Sequence, residues 1–114
     1  MSSANEIIHL LLTDPRVYLH YTDLAGLNAI LGQGVIRTDS KYAVYFTQEP
    51  FSQAEAHTKL FIGATTHAGR GSHVLVVKLD NGLPIERTGY YEVCVRQSVR
   101  LAQHQVLYSG PNPF

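Results

Sequence analysis

A chain of 114 residues with 45% hydrophobic and 16% charged residues is one globular domain that can bury a core without metal or disulfide staples. Disorder is excluded by that balance, and no apolar run approaches the roughly 20 residues of a membrane helix. Nine Lys plus Arg against nine Asp plus Glu leave zero formal charge, so a nucleic-acid partner would depend on small local patches, Arg96 with Arg100 or Arg70 near His67 and His73.

From the N-terminus, Ser3-Ala4-Asn5-Glu6 has the spacing of a capping box, and Ile7, Ile8, Leu10, Leu11 and Leu12 predict a short amphipathic helix that Asp14-Pro15 ends. Met1 to Leu12 carries no basic leader and no small-residue cleavage site, which points to a chain that acts in a cytosol. Val17-Tyr18-Leu19 is a strand, and the polar triplet His20-Tyr21-Thr22 joins it to a helix over 23–31 marked by Leu24, Leu27, Ile30 and Leu31. Thr22 is the expected N-cap, and Gly32 with Gly34 the stop. Val35-Ile36-Arg37 reads as a short extended piece, Thr38-Asp39-Ser40 as a turn, and Ala43 to Thr47 as a second strand. Pro50 suits the first turn of a helix running from Phe51 to Ile62, and three glycines between Gly63 and Ser72 mark a loop.

His73 to Leu79 alternates Val74, Val76 and Lys78 with Leu75, Val77 and Leu79. Apolar on both faces, it should be a central strand. Asp80-Asn81-Gly82 turns the chain into an edge segment at Leu83-Pro84-Ile85, and Tyr90 to Val95, Val99 to Leu101 and Gln105 to Tyr108 are further strands. The tail Ser109 to Phe114, with its two prolines, reads as a loop. Two or three helices followed by closely spaced strands predict an α+β fold with split antiparallel β-sheets.

Several chemistries drop out. The chain has no His-Glu-x-x-His pair, no phosphate-cradling Gly-x-x-x-x-Gly-Lys loop and no Gly-x-Ser-x-Gly elbow. Its six histidines lack a recognised ligand spacing, so no metal is expected. Cys94 is the only cysteine, which excludes an internal disulfide, and its place in a β-run suits a small buried apolar residue. What remains is His20 at a strand end, Tyr45 within Val44-Tyr45-Phe46-Thr47, and Glu92 within Tyr90-Tyr91-Glu92-Val93-Cys94-Val95. A carboxylate embedded in such a strand carries a desolvation cost that a functional role would explain.

Taken in order, these three stretches resemble the ADP-ribosyltransferase fold. His20-Tyr21-Thr22 is similar to the first motif of its histidine-tyrosine-glutamate branch, Val44-Tyr45-Phe46-Thr47 to the Tyr-Phe strand of the poly(ADP-ribose) polymerases, and Tyr91 to Val95 to their glutamate-bearing strand. The spacing looks closest to the small bacterial toxin transferases named for a histidine-tyrosine-aspartate signature. Two positions depart from the pattern. Where the polymerases carry a second tyrosine this chain has Ala56, which leaves Phe51 or His57 as the second wall of the nicotinamide sandwich, and where the signature calls for aspartate it has Glu92.

The resemblance implies a mono-ADP-ribosyltransferase with NAD as substrate and no metal. It further implies a toxin acting in a target cell's cytoplasm, an acceptor that is a protein or nucleic acid, and an immunity protein in the producing cell. Cleaving the nicotinamide-ribose bond builds positive charge on the ribose, which a fixed carboxylate stabilises more in the transition state than in the ground state. Glu92 would take that role, His20 a ribose hydroxyl, Thr22 the carboxamide beside Tyr21, and Tyr45 the flat face of the ring. The glycine-bearing loop, through His67 and Arg70, would touch the acceptor. The rivals are an RNA 2'-phosphotransferase, which zero net charge disfavours, and a non-catalytic module that binds ADP-ribose or a protein, which has less need of Glu92.

Overall fold

The computed structural model describes residues 4–38, 42–60 and 71–114. Along them run α1 (Ala4–Thr13), β1 (Val17–Thr22), α2 (Leu24–Gln33), β2 (Val35–Ile36), β3 (Val44–Phe46), α3 (Gln53–Lys59), β4 (His73–Lys78), β5 (Glu86–Arg87), β6 (Val93–Val95), β7 (Val99–Arg100) and β8 (Gln105–Pro111). A 3-10 turn, Leu101–Gln103, precedes β8. Every strand pairing is antiparallel, in three sheets ordered β1-β4-β8, β2-β7 and β3-β6-β5. The α+β class is therefore as expected. None of the helices among the described residues is long and apolar enough to cross a membrane.

The central strand follows from its two-sided apolar pattern. β4 pairs with β1 along its whole length, from Val17 opposite Lys78 to Thr22 opposite His73, and with β8 on its other edge. Its alternation divides the interior in two. Leu75, Val77 and Leu79 pack with Leu27 and Ile30 of α2, Val44 and Phe46 of β3, and Val93 and Val95 of β6. Val74 and Val76 pack with Ile7 of α1, Ala56 of α3, Phe51, and Val17, Leu19 and Tyr21 of β1. Val74 through Val77 are fully buried, and each contributes on the order of 1.5–3 kcal/mol of transfer free energy before conformational entropy is charged against it.

The structure corrects several expected boundaries. Asp23, not Thr22, caps α2: its Oδ1 accepts from Gly26 N at 2.7 Å. Thr22 is still in the β1 ladder, so the first residue outside it takes the cap, and a carboxylate suits the positive end of the helix. Gly34, at φ 70°, ends α2, whereas Gly32 lies inside it. Pro50 stands ahead of α3, which Ser52 starts through a capping box with Glu55. Residues 109–111 are strand, not loop, because β8 continues past Tyr108 to pair Pro111 with His73. The Ser3 half of the first capping box, the turn at Asp39-Ser40, Ile62, and the stretch from Gly63 through His67 to Arg70 lie outside the described residues.

Candidate functional site

The long sheet and the β3-β6-β5 sheet meet where β1 ends. Leu19 exchanges backbone hydrogen bonds with Thr47, just past β3, at 2.7 and 2.9 Å. A cavity of about 290 Å³ opens at this seam, and its walls include His20, Tyr21, Thr22, Tyr45 and Glu92. Five of the seven residues singled out in the sequence thus reach one cavity, although they span positions 20 to 92.

His20 is fixed by both sheets. Its Nδ1–H donates to the Tyr45 carbonyl at 2.8 Å, and its ring lies 5.7 Å from that of Phe46. A carbonyl only accepts, so Nδ1 carries a proton in this hydrogen bond. Thr22 is buried, and its carbonyl accepts from Gly71 N at 2.9 Å. Gly26, also in the wall, passes so close to Thr22 that a Cβ there would collide with Thr22 Oγ1. A glycine at this place in α2 is the helix's way of making room for the threonine.

Tyr21 reaches the cavity wall but its ring belongs to the core on the α1–α3 side. Its hydroxyl donates to the Phe51 carbonyl at 2.8 Å, and burial pushes its ionisation above the usual tyrosine range. It ties β1 to the turn before α3. Phe51 is buried in the same core, edge-on to Tyr91 at 5.2 Å with Lys59 Nζ 5.3 Å from its ring. Neither Phe51 nor His57 of α3 is among the residues lining the cavity.

Glu92 stands one residue before β6 rather than inside a strand. Its carbonyl accepts from Thr88 N and Gly89 N, both at 3.1 Å. That turn uses the backbone a ladder would need, and it leaves the carboxylate partly exposed with Thr88 Oγ1 donating to Oε1 at 3.2 Å. Arg37, not singled out in the sequence, also lines the cavity. Its Nε donates to Gln33 Oε1 at 2.7 Å, which sets the plane of the guanidinium. No local pattern marks it, because Gln33 ends α2 and Arg37 lies past β2. The cavity therefore combines a carboxylate, a guanidinium, an imidazole held by Tyr45 O and an aromatic strand. Among the described residues no group of three or more His, Cys, Asp or Glu could hold a metal ion.

No protein-family model, curated protein or solved structure matches the chain.

Proposed function

We propose that the chain is an NAD-dependent mono-ADP-ribosyltransferase, a small bacterial toxin or effector domain that cleaves NAD and transfers ADP-ribose to a macromolecule. The observation that carries this reading is the convergence of His20, Thr22, Tyr45 and Glu92 on one cavity. It is the set that the ADP-ribosyltransferase resemblance calls for. At about 290 Å³ the cavity is at the low end of ligand pockets, about 300–1,000 Å³. It suits the nicotinamide-ribose half of NAD, with the rest of the dinucleotide lying across its open side.

In this reading the Glu92 carboxylate faces the ribose carbon as positive charge develops there, and the charge is stabilised only as the glycosidic bond breaks. His20, oriented by its Nδ1–H bond to the Tyr45 carbonyl, meets a ribose hydroxyl. Thr22 meets the carboxamide and Tyr45 the ring, with stacking worth about 0.5–1.5 kcal/mol. Arg37 supplies the positive charge that the pyrophosphate needs. The RNA 2'-phosphotransferase reading asks for several cations around the cavity, and Arg37 is the only Lys or Arg among the described residues lining it. An immunity protein for such a toxin would cover this opening.

Incubating the purified chain with NAD and following nicotinamide release separates enzyme from binding module. Release that falls about 10²-fold in Glu92→Gln supports the proposal. No release from the wild-type chain, with NAD still bound, returns the cavity to the binding-module reading.

A further inference from the structure

We propose that Asn112 is a positioning residue of this cavity: its side-chain amide ties together the two ends of the stretch between Phe51 and Gly71, and through them holds the wall at the end of β1. Asn112 Nδ2 donates to the Phe51 carbonyl at 3.0 Å and to the Gly71 carbonyl at 2.9 Å. Its Oδ1 accepts from Phe114 N at 2.8 Å, and its own backbone N–H donates to Ser72 O at 2.8 Å. One side chain thus uses both of its donors on carbonyls 61 and 41 residues away in sequence.

Both anchored carbonyls lead to the cavity. Phe51 O also accepts the Tyr21 hydroxyl, so the same oxygen holds the middle of the His20-Tyr21-Thr22 triplet. Gly71 N donates to Thr22 O, so the residue whose carbonyl Asn112 takes is itself hydrogen-bonded to the cavity-lining threonine. Gly71 is also pressed on the first turns of α3: a Cβ there would sit 3.0 Å from Ala56 Cβ and 3.3 Å from Gln53 O. Leu60, which ends α3, is part of the cavity wall. Without the amide, the Gly71 carbonyl loses a neutral donor in a partly buried place, and no other single side chain among the described residues hydrogen-bonds both Phe51 and Gly71. Pinning two distant points of a chain with one group removes conformations that a separate contact at each point would leave open. None of these Asn112 hydrogen bonds goes to a lining residue. Asn112 acts through Gly71 and Phe51 on Thr22 and Tyr21.

The assignment of NAD to this wall rests on the function proposed above, so the test reads the clamp and the ligand separately. In the full chain, Asn112→Ala and Asn112→Asp remove the donors, and the aspartate keeps the acceptor for Phe114 N. Amide exchange at Gly71 is expected to accelerate about tenfold or more in both variants, while Val76 at the centre of β4 keeps its wild-type rate. NAD affinity by calorimetry falls about tenfold with kcat held within about threefold, because ground-state and transition-state binding lose the same wall. Lowering the pH into the carboxyl range protonates the new carboxylate of the Asn112→Asp variant and returns one donor, so that variant recovers part of the affinity and Asn112→Ala does not. Gly71 exchange and NAD affinity both unchanged in both variants overturn the proposal. So does loss of Val76 protection together with Gly71 in both, which would make Asn112 a general structural residue. A wild-type chain that does not bind NAD defeats the functional reading alone: accelerated Gly71 exchange then still upholds the clamp, and unchanged exchange removes it.

Discussion

The two sheets that enclose the cavity are built to different depths. In β1-β4-β8 the six residues of β1 pair along the full length of β4, and the seven-residue β8 covers the other edge. In β3-β6-β5 the strands are three, three and two residues long, and β5 is wholly exposed. The Arg96–Glu86 pair that crosses its edge is exposed on both sides and screened by solvent, so it adds little. One sheet is the scaffold and supplies His20 and Thr22. The other is a thin flange that supplies Tyr45 and, from the turn beside it, Glu92. Substitutions at the buried centre of the first should act on stability, and those at the cavity end of either sheet on ligand binding or chemistry.

The largest effect belongs to the scaffold. Leu75→Ala removes a fully buried side chain from the centre of β4 and should cost about 2–5 kcal/mol in a denaturant melt. A loss under about 1 kcal/mol would mean that the sheet is not the foundation described. Next comes Glu92→Gln on the flange side, expected to lower NAD turnover about 10²-fold, or about 2.7 kcal/mol of transition-state stabilisation, while the melting midpoint stays put. Turnover within threefold of wild type would sink the catalytic role of this carboxylate.

Smaller effects probe the seam. His20→Ala and Tyr45→Ala should each weaken NAD binding by roughly three- to tenfold in calorimetry, and unchanged affinity in both would leave them as core residues. Tyr21→Phe deletes a hydroxyl whose acceptor, Phe51 O, keeps the Asn112 donor. It should cost only about 0.5–1.5 kcal/mol of stability with NAD turnover little changed, and a tenfold loss of turnover would show that the hydroxyl acts in the cavity.

The smallest effect is at the far end of the long sheet. There Asp80 N donates to His104 Nδ1 at 2.9 Å, and burial pulls the imidazole below its ordinary value of 6.5. A lowered folded-state value means that the unfolded chain takes up the proton first. The stabilisation is therefore complete above pH 6.5 and is lost as pH falls from there through the folded-state value. His104→Gln should flatten that part of the stability-pH curve. An unchanged slope between wild type and variant would assign it to other groups.

Much of this is legible in the sequence because the informative signals are local. The two-sided pattern of His73 to Leu79 matches both faces of β4, and the Leu24-Leu27-Ile30-Leu31 spacing finds α2, although only Leu27 and Ile30 are buried while Leu24 and Leu31 are exposed. What local pattern misses depends on partners far along the chain. The tail reads as a loop because its pairing with β4 and the reach of Asn112 to Phe51 and Gly71 have no local signature. Phe51 looks like a ring for the cavity, but tertiary packing claims it for the core under Tyr21 and Tyr91. Glu92 reads as a strand residue because its neighbours are β-formers, whereas the Thr88 and Gly89 amides capture its carbonyl in a turn. Arg37 escapes notice because only the closure of the two sheets makes it a wall of the cavity.

The central claim is that NAD binds at the seam between the two sheets. It is tested most directly by titrating NAD into ¹⁵N-labelled Glu92→Gln, which should bind without turning the substrate over, and following the amide resonances. The expected result is a saturable set of shifts at His20, Thr22, Tyr45 and the residues around position 92, drawn from both sheets, with Asp80 and His104 unmoved. Shifts confined to one sheet or to the His104 end, or none at millimolar NAD, would contradict it.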